Sequence, residues 1–284
     1  MAVSRRPGTT PAPVGKTIKT DSTHPIVIRI DDTGSMGNKP GVILEKLPVF
    51  GTEAAKIAPG YAISFGLVSD GRCDPLGLQI RDFDAGPALD THLAELYPQC
   101  GGGDTPESYG LAAYFDLEHC EIPKAIKPIY ILILDAPPHL KVTSSEIKEA
   151  TGDVVDQPLD TETIFRRLTE KFSVYVVTFS HTETWEKWLD KQHVIKTDDK
   201  NVGDIVEILS GILAIECGAY DEFALRSSKR HSDRPDRVSR VSKALKSAAD
   251  KSKPATDTDG KAVSSKKPED DGTGKSRLKS KKLI

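Results

Sequence analysis

Asp31, Thr33 and Ser35 stand at alternate positions in the stretch Ile26-Val27-Ile28-Arg29-Ile30-Asp31-Asp32-Thr33-Gly34-Ser35-Met36-Gly37. One carboxylate and two hydroxyls at that spacing can converge, within a looping turn, on a single point and offer it oxygen donors only. Such a set suits a hard divalent cation. Mg2+ takes a few carboxylate or hydroxyl oxygens at about 2.0 to 2.1 Å and keeps several waters, which leaves room for an oxygen from a partner. The competing reading is structural, because Asp, Thr and Ser also favour helix starts through hydrogen bonds to the backbone. Two further acids at comparable places weigh against it. Asp135 ends the apolar run Ile131-Leu132-Ile133-Leu134, where an unpaired buried carboxylate is costly and calls for a cation or a donor. Glu107 follows Gly101-Gly102-Gly103-Asp104-Thr105-Pro106 at what reads as a helix start, where an acid also complements the helix dipole. His139 is close enough in sequence to Asp135 to sit beside the same point.

The elements that must hold these side chains read as alternating strands and helices. Ile26–Ile30 is a short β-branched run of the kind found in central parallel strands, and Gly34 and Gly37 mark a sharp turn after it. Val42, Ile43, Leu47, Phe50, Ala54 and Ile57 recur at helical spacing until Pro59-Gly60, with Pro48 expected to bend or restart the helix. Strands are expected at 61–69 and 77–83, joined by a short D-G and D-P connection that suits an antiparallel hairpin. Further strands are expected at 129–134, 172–179 and 193–196. Helices are expected at 89–96, 107–119, 144–150, 161–171, 182–190 and 202–213, and the rest of 141–160 reads as irregular. This alternation implies an α/β fold with helices on both faces of a sheet and ligands outside the carboxyl ends of its strands.

At 284 residues with 37% hydrophobic content, the chain suffices for one domain of about 200 residues. Residues 1–20 read as a disordered lead-in, 21–226 as the domain, and 227–284 as a basic low-complexity tail, mostly disordered apart from a short amphipathic helix through Val238, Val241 and Leu245. Residues 1–226 hold 22 Lys and Arg against 34 Asp and Glu, a charge of −12, whereas 227–284 hold 17 against 8, a charge of +9. A basic tail of this kind contacts an acidic surface or binds nucleic acid only weakly. No run approaches the roughly 18 to 20 apolar residues of a membrane span, and no apolar segment follows Arg5 and Arg6, so neither a membrane anchor nor a signal peptide is expected. Cys73, Cys100, Cys120 and Cys217 lack C-x-x-C spacing, which disfavours zinc and a disulfide framework. Reduced thiols and a cytoplasmic location are the expectation.

The pattern D-x-T-G-S at 31–35 resembles the metal-ion-dependent adhesion site of von Willebrand factor A (vWA) domains, and Gly101–Glu107 and Ile131–His139 resemble that family's second and third site loops in the right order. The resemblance covers about residues 24 to 220 and is closest to intracellular vWA proteins. It implies a Rossmann-like sheet of six strands, mostly parallel with one antiparallel edge strand, and bound Mg2+ or Mn2+ held by Asp31, Thr33, Ser35, Glu107 and Asp135, the last through water. Many vWA domains use a second-loop threonine as ligand. The D-x-P-E order here is similar to the integrin beta version, which maps the ligand onto Glu107 and leaves Thr105, with Asp104, as the alternative. Asn38-Lys39 replaces the acids that serve a second adjacent ion in integrin beta chains.

The function expected from this is a protein-interaction module that binds a partner's carboxylate through the ion. Intracellular relatives imply partners such as an ATPase, kinase or phosphatase of the same system. The alternative is a metal-dependent phosphohydrolase or phosphate-binding enzyme using the same pocket. Enzyme signatures are otherwise missing: there is no G-x-x-x-x-G-K-[ST] loop, G-x-S-x-G elbow or H-E-x-x-H helix, and Thr33 occupies the place where a D-x-D phosphohydrolase has its second carboxylate.

Overall fold

In the computed structural model, which describes residues 12–103, 106–180 and 183–252, the first half of the chain forms β1 (Ile18–Lys19), β2 (His24–Asp31), α1 (Lys39–Ile57), β3 (Tyr61–Val68), β4 (Leu78–Ile80), α2 (Ala88–Glu95), α3 (Tyr109–Glu118), β5 (Cys120–Glu121) and β6 (Ile129–Leu134). There follow β7 (Lys141–Val142), α4 (Ser144–Thr151), β8 (Leu159–Asp160), α5 (Thr161–Lys171), β9 (Ser173–Thr178), α6 (Glu183–Trp188), β10 (Val194–Lys196), α7 (Ile205–Glu216), α8 (Tyr220–Arg230) and α9 (Pro235–Ser252). Six strands make one sheet in the order β10-β9-β6-β2-β3-β4, parallel throughout except for β4 on β3. The chain builds outward from β2 on one side, then crosses back to lay β6 on the other. β2 and β6 therefore flank the point where the strand order reverses, which is where open sheets of this type bind ligands.

Alternation along the strands divides the core. Ile26, Ile28 and Ile30 join Ile131 and Ile133 beneath α1, α2 and α7, while Val27, Tyr130, Leu132 and Val176 face α3 and α5. Helices cover both faces, so every strand of the centre is apolar on both sides. Arg29 is the exception. It points to the α3 face, is fully buried, and pairs with the equally buried Asp116 through Nε–Oδ2 at 2.8 Å and Nη2–Oδ1 at 2.6 Å. Its remaining donors reach Ser64 O and Ser64 Oγ. At the same, C-terminal end of α3, the Lys171 ammonium donates to the carbonyls of Asp116 and Leu117, which the helix leaves open, and to that of Cys120 in β5.

Several expected boundaries shift. Residues 12–20 belong to the fold rather than to a lead-in, because Ile18 is fully buried and β1 pairs in parallel with β5. The 141–160 segment is ordered by β7 pairing with β8 and by α4, whose start carries a Thr143–Glu146 capping box. α3 begins at Tyr109 rather than at Glu107. α1 runs through Pro48 as one helix. Residues 1–11 and 253–284, on which the expectation of disordered termini falls, lie outside the described residues, as do Asp104, Thr105, His181 and Thr182.

The packed body continues past residue 226, where the sequence placed the domain's limit. α9 contains the helix expected around Val238–Leu245, and its Val241, Leu245, Ala248 and Ala249 are buried in the core beneath α7. Polar composition hid this because α9 needs only one narrow apolar stripe. Leu245 fits a notch at Gly211, where any side chain would overlap it. Leu245→Ala is expected to lower unfolding free energy by about 2 to 5 kcal/mol. Urea denaturation checks this; a change below about 0.5 kcal/mol, the size of an ordinary surface substitution, would place α9 outside the cooperative unit.

Candidate metal centre

The site grows from the reversal point of the sheet. Asp31 is the last residue of β2, Asp135 follows β6 directly, and Ile30 and Ile133 are register partners just before them. Beyond Asp31 the chain turns so that Thr33 lies beside Gly101 in a parallel bridge and the Gly34 N–H donates to Gly101 O at 2.5 Å. That approach leaves little room: a Cβ at Gly34 would stand 3.0 Å from the same carbonyl. The glycine loop is braced from behind by Asp74, whose carboxylate accepts from Asp70 N at 2.9 Å and Gly102 N at 3.0 Å. A Cβ at Gly101 would overlap that carboxylate, so only glycine fits there.

Glu107 sits ahead of α3 and is held by backbone. Its N–H donates to Pro137 O at 3.0 Å and its carbonyl accepts from His139 N at 2.9 Å, tying the second loop to the loop after β6. Its carboxylate and Thr33 both come within 4 Å of one point above Gly102. Ser35, Lys39, Glu107, Asp135, Ser180 and Asp199 line one cleft of about 470 Å3. Asp31 and Thr33 are buried beneath it. Thus Asp31, Thr33, Ser35, Glu107 and Asp135 are all brought to one place. His139 is buried nearby and its Nε2 is 4.0 Å from Asp70 Oδ1. Asp104 and Thr105 fall outside the described residues.

The hydrogen bonds run in a chain. Asp31 Oδ1 accepts from Thr33 N at 2.9 Å and from Thr33 Oγ1 at 2.7 Å, and Ser35 Oγ donates to Asp135 Oδ1 at 2.7 Å. Each hydroxyl has one proton, and each proton is engaged by a carboxylate. Thr33 Oγ1 and Ser35 Oγ are nevertheless 3.3 Å apart. With both protons directed to the carboxylates the two oxygens face each other with lone pairs alone, an arrangement that a cation relieves. Neighbouring ligands on an octahedron with bonds of about 2.1 Å lie about 3 Å apart, so the spacing fits Mg2+ or Mn2+. Among the described residues no three His, Cys, Asp or Glu side chains form a metal-holding group by themselves.

Three residues at the site were not singled out in the sequence reading. Tyr109, the first residue of α3, donates to Asp31 Oδ2 at 2.5 Å; 78 positions separate them, and no local pattern signals the contact. Lys39 places its ammonium 3.5 Å from Asp135 Oδ2 and 3.6 Å from Asp199 Oδ1, above the Phe179 ring. Asp32 is buried beside Asp31 and accepts from Gln99 N at 2.8 Å and Ser69 Oγ at 3.2 Å, anchoring the approach to the glycine loop.

Burial dominates the acidity of the two adjacent carboxyls. It pushes Asp31 up to about 6 despite the donors from Tyr109 and Thr33, and Asp32 up to about 7 despite those from Gln99 and Ser69. Both values exceed the usual carboxylate range, so without a cation the folded protein binds more protons than the unfolded chain between about pH 4 and 7. Stability contributed by these groups is present at low pH and lost as pH rises through that window, at about 1.4 kcal/mol per pKa unit. The groups held below their usual values, including Glu53, Glu207 and Asp153, act at lower pH, while Asp116, also raised by burial, adds to this pair with the same sign. Urea midpoints in EDTA are expected to fall from pH 5 to pH 7.5, with the fall diminished by excess Mg2+ and by Asp32→Asn. A flat profile in EDTA would contradict the assignment.

The fold and site together define an α/β domain with an oxygen-donor cleft at the switch point of a mostly parallel sheet. No known family's sequence model matches the chain, and no curated protein sequence does. Among solved structures it is similar to the pilus adhesin SpaC of Lactobacillus rhamnosus GG, at 11% identity and a TM-score of 0.46 over 70% of this chain and 32% of that one. The open conformation of the same adhesin gives 12% identity, a TM-score of 0.46 and coverage of 70% and 31%. Proximal thread matrix protein 1 of the mussel byssus is similar at 14% identity and a TM-score of 0.49, over 69% of this chain and 49% of that one. The chain spans between about a third and a half of those proteins' lengths. Among the described residues no helix is long and apolar enough to cross a membrane.

Proposed function

We propose that this chain is a vWA-type, Rossmann-like domain that captures an acidic residue of a protein partner through Mg2+ or Mn2+ held in the cleft beyond β2 and β6. The observation that carries this reading is the facing pair of hydroxyl oxygens, Thr33 Oγ1 and Ser35 Oγ at 3.3 Å, each also 2.7 Å from a carboxylate oxygen that can accept its proton. Asp31, Thr33, Ser35, Glu107 and Asp135 would hold the ion. When bound, it supplies an electrophilic site for an incoming carboxylate. The residues do the rest. Asp31 orients Thr33, Asp135 orients Ser35, and Lys39 partly offsets the charge of Asp135 and Asp199 at the rim. Two of the five are neutral hydroxyls and Asp135 would act through water, so two carboxylates at most bind directly and do not exceed the charge of the ion, which keeps its attraction for an anionic group. That favours adhesion over the activation of water, and a cytoplasmic assembly with an ATPase, kinase or phosphatase is the setting we infer. Affinity capture with and without EDTA, on wild type and Asp31→Ala, tests the reading: a partner retained only by metal-loaded wild type supports it. Phosphoester turnover dependent on Mg2+ and abolished by Asp31→Ala would replace it with the phosphohydrolase reading.

A further inference from the structure

A second cleft lies beside the first, between α1, the 3-10 segment Asp199–Asp204 and the corner where α8 meets α9. We propose that it binds a phosphate group. Its volume is about 530 Å3, a size suited to a small ligand. Lys46, Lys200, Arg230, Arg234, Arg237 and Arg240 line it against only Asp204, Glu207 and Asp236. Four of these six cations, Arg230, Arg234, Arg237 and Arg240, come from the basic stretch after residue 226, and the fold gathers them with Lys46 and Lys200 around one cleft.

The carboxylates present are already occupied. Asp204 is shared by Arg237 Nε at 3.1 Å and Arg240 Nε at 2.9 Å, and Arg240 Nη1 also donates to Asp236 at 2.6 Å. Arg230 divides itself between Glu53 at 3.0 Å and Glu207 at 3.6 Å. Among the described residues the acid that Arg234 meets is the exposed Asp233, at 3.7 Å, a solvent-screened pair of little strength. Positive charge is left over for a ligand. A buried atom points the same way. His231 lines the cleft and is 6% exposed; its Nε2 is held 3.0 Å from Glu207 Oε1, while its Nδ1 has no hydrogen-bond partner among the described residues. Buried polar atoms are rarely left so, and a ligand oxygen or proton at that position would complete it. Guanidinium forks match phosphate oxygens in geometry as well as charge, which selects a phosphate over a simple halide. Asp199 lines the first cleft and Lys200 the second, yet the second needs no divalent cation.

Calorimetric titration of the full chain in EDTA with inorganic phosphate, pyrophosphate and a phosphoserine peptide tests the proposal. Lys200→Ala/Arg234→Ala removes two cations that do not pair with the cleft's buried acids, so folding, checked by circular dichroism, is expected to persist. The result expected is one saturable site per chain, weakened about tenfold or more in the double variant. Tighter binding of pyrophosphate identifies a free polyphosphate source, and tighter binding of the peptide identifies a protein-borne phosphate. Absence of saturable binding, or equal binding by wild type and variant as the basic residues 253–284 alone would give, overturns it.

Discussion

Asp31→Ala is expected to abolish calorimetrically detectable Mg2+ and Mn2+ binding while circular dichroism reports an intact fold. The strand carrying Asp31 is held by apolar burial on both faces of the sheet, so the variant loses charge and the orientation of Thr33 rather than the architecture. Tyr109 loses its acceptor, and Asp31→Asn, which preserves that contact, separates the two effects. It keeps the volume and removes the charge, and metal affinity should remain lost. Ser35→Ala leaves all carboxylates in place and should weaken binding by about 10- to 100-fold. Glu107→Ala and Thr105→Ala decide the second-loop ligand: a loss confined to Glu107→Ala supports the carboxylate, and a loss confined to Thr105→Ala moves the ligand there. Unchanged metal binding in Asp31→Ala would end the adhesion-site reading.

That experiment is possible because much of the site was legible in the chain. The alternation of carboxylate and hydroxyl at 31, 33 and 35 needs only a turn to converge, and a turn was signalled by Gly34 and Gly37. Asp135 was legible because a charged residue ended an apolar strand. Glu107 was placed correctly at the cleft but on the wrong element, since its backbone is captured by Pro137 and His139 from a loop about thirty residues away. Tyr109 and Lys39 could not be found by pattern, because their roles rest on contacts across the sheet and helix layers. The same holds for the limits of the body. Ile18 is one apolar residue in a polar stretch, and α9 offers one apolar stripe; each is buried only because β5 and α7 present a complementary surface. Composition measures what a segment could bury alone and misses what a neighbour makes room for.

Arg29 stands in β2 as a charge inside an apolar run, and its partner, 87 positions away, supplies the largest stability change expected of a single substitution. Burial pushes the Asp116 carboxyl above its usual range even against the attraction of the guanidinium. Desolvation therefore outweighs pairing, as it commonly does for ion pairs in the interior. Removing one partner is then worse than removing both. Asp116→Ala leaves a guanidinium that cannot neutralise itself, and the unfolding free energy is expected to drop by about 3 to 5 kcal/mol. Arg29→Met leaves a carboxyl that can take up a proton, so the loss should be smaller and should shrink further as pH falls. The double variant Arg29→Met/Asp116→Leu should recover most of the stability. Urea denaturation of the four proteins measures the coupling. What the pair contributes instead is position: it ties α3 to the strand that ends in Asp31, and α3 begins with the Tyr109 that holds that carboxylate. Mg2+ affinity in the double variant is therefore expected to fall although stability returns, and an affinity equal to wild type would show that apolar packing alone sets the helix in place.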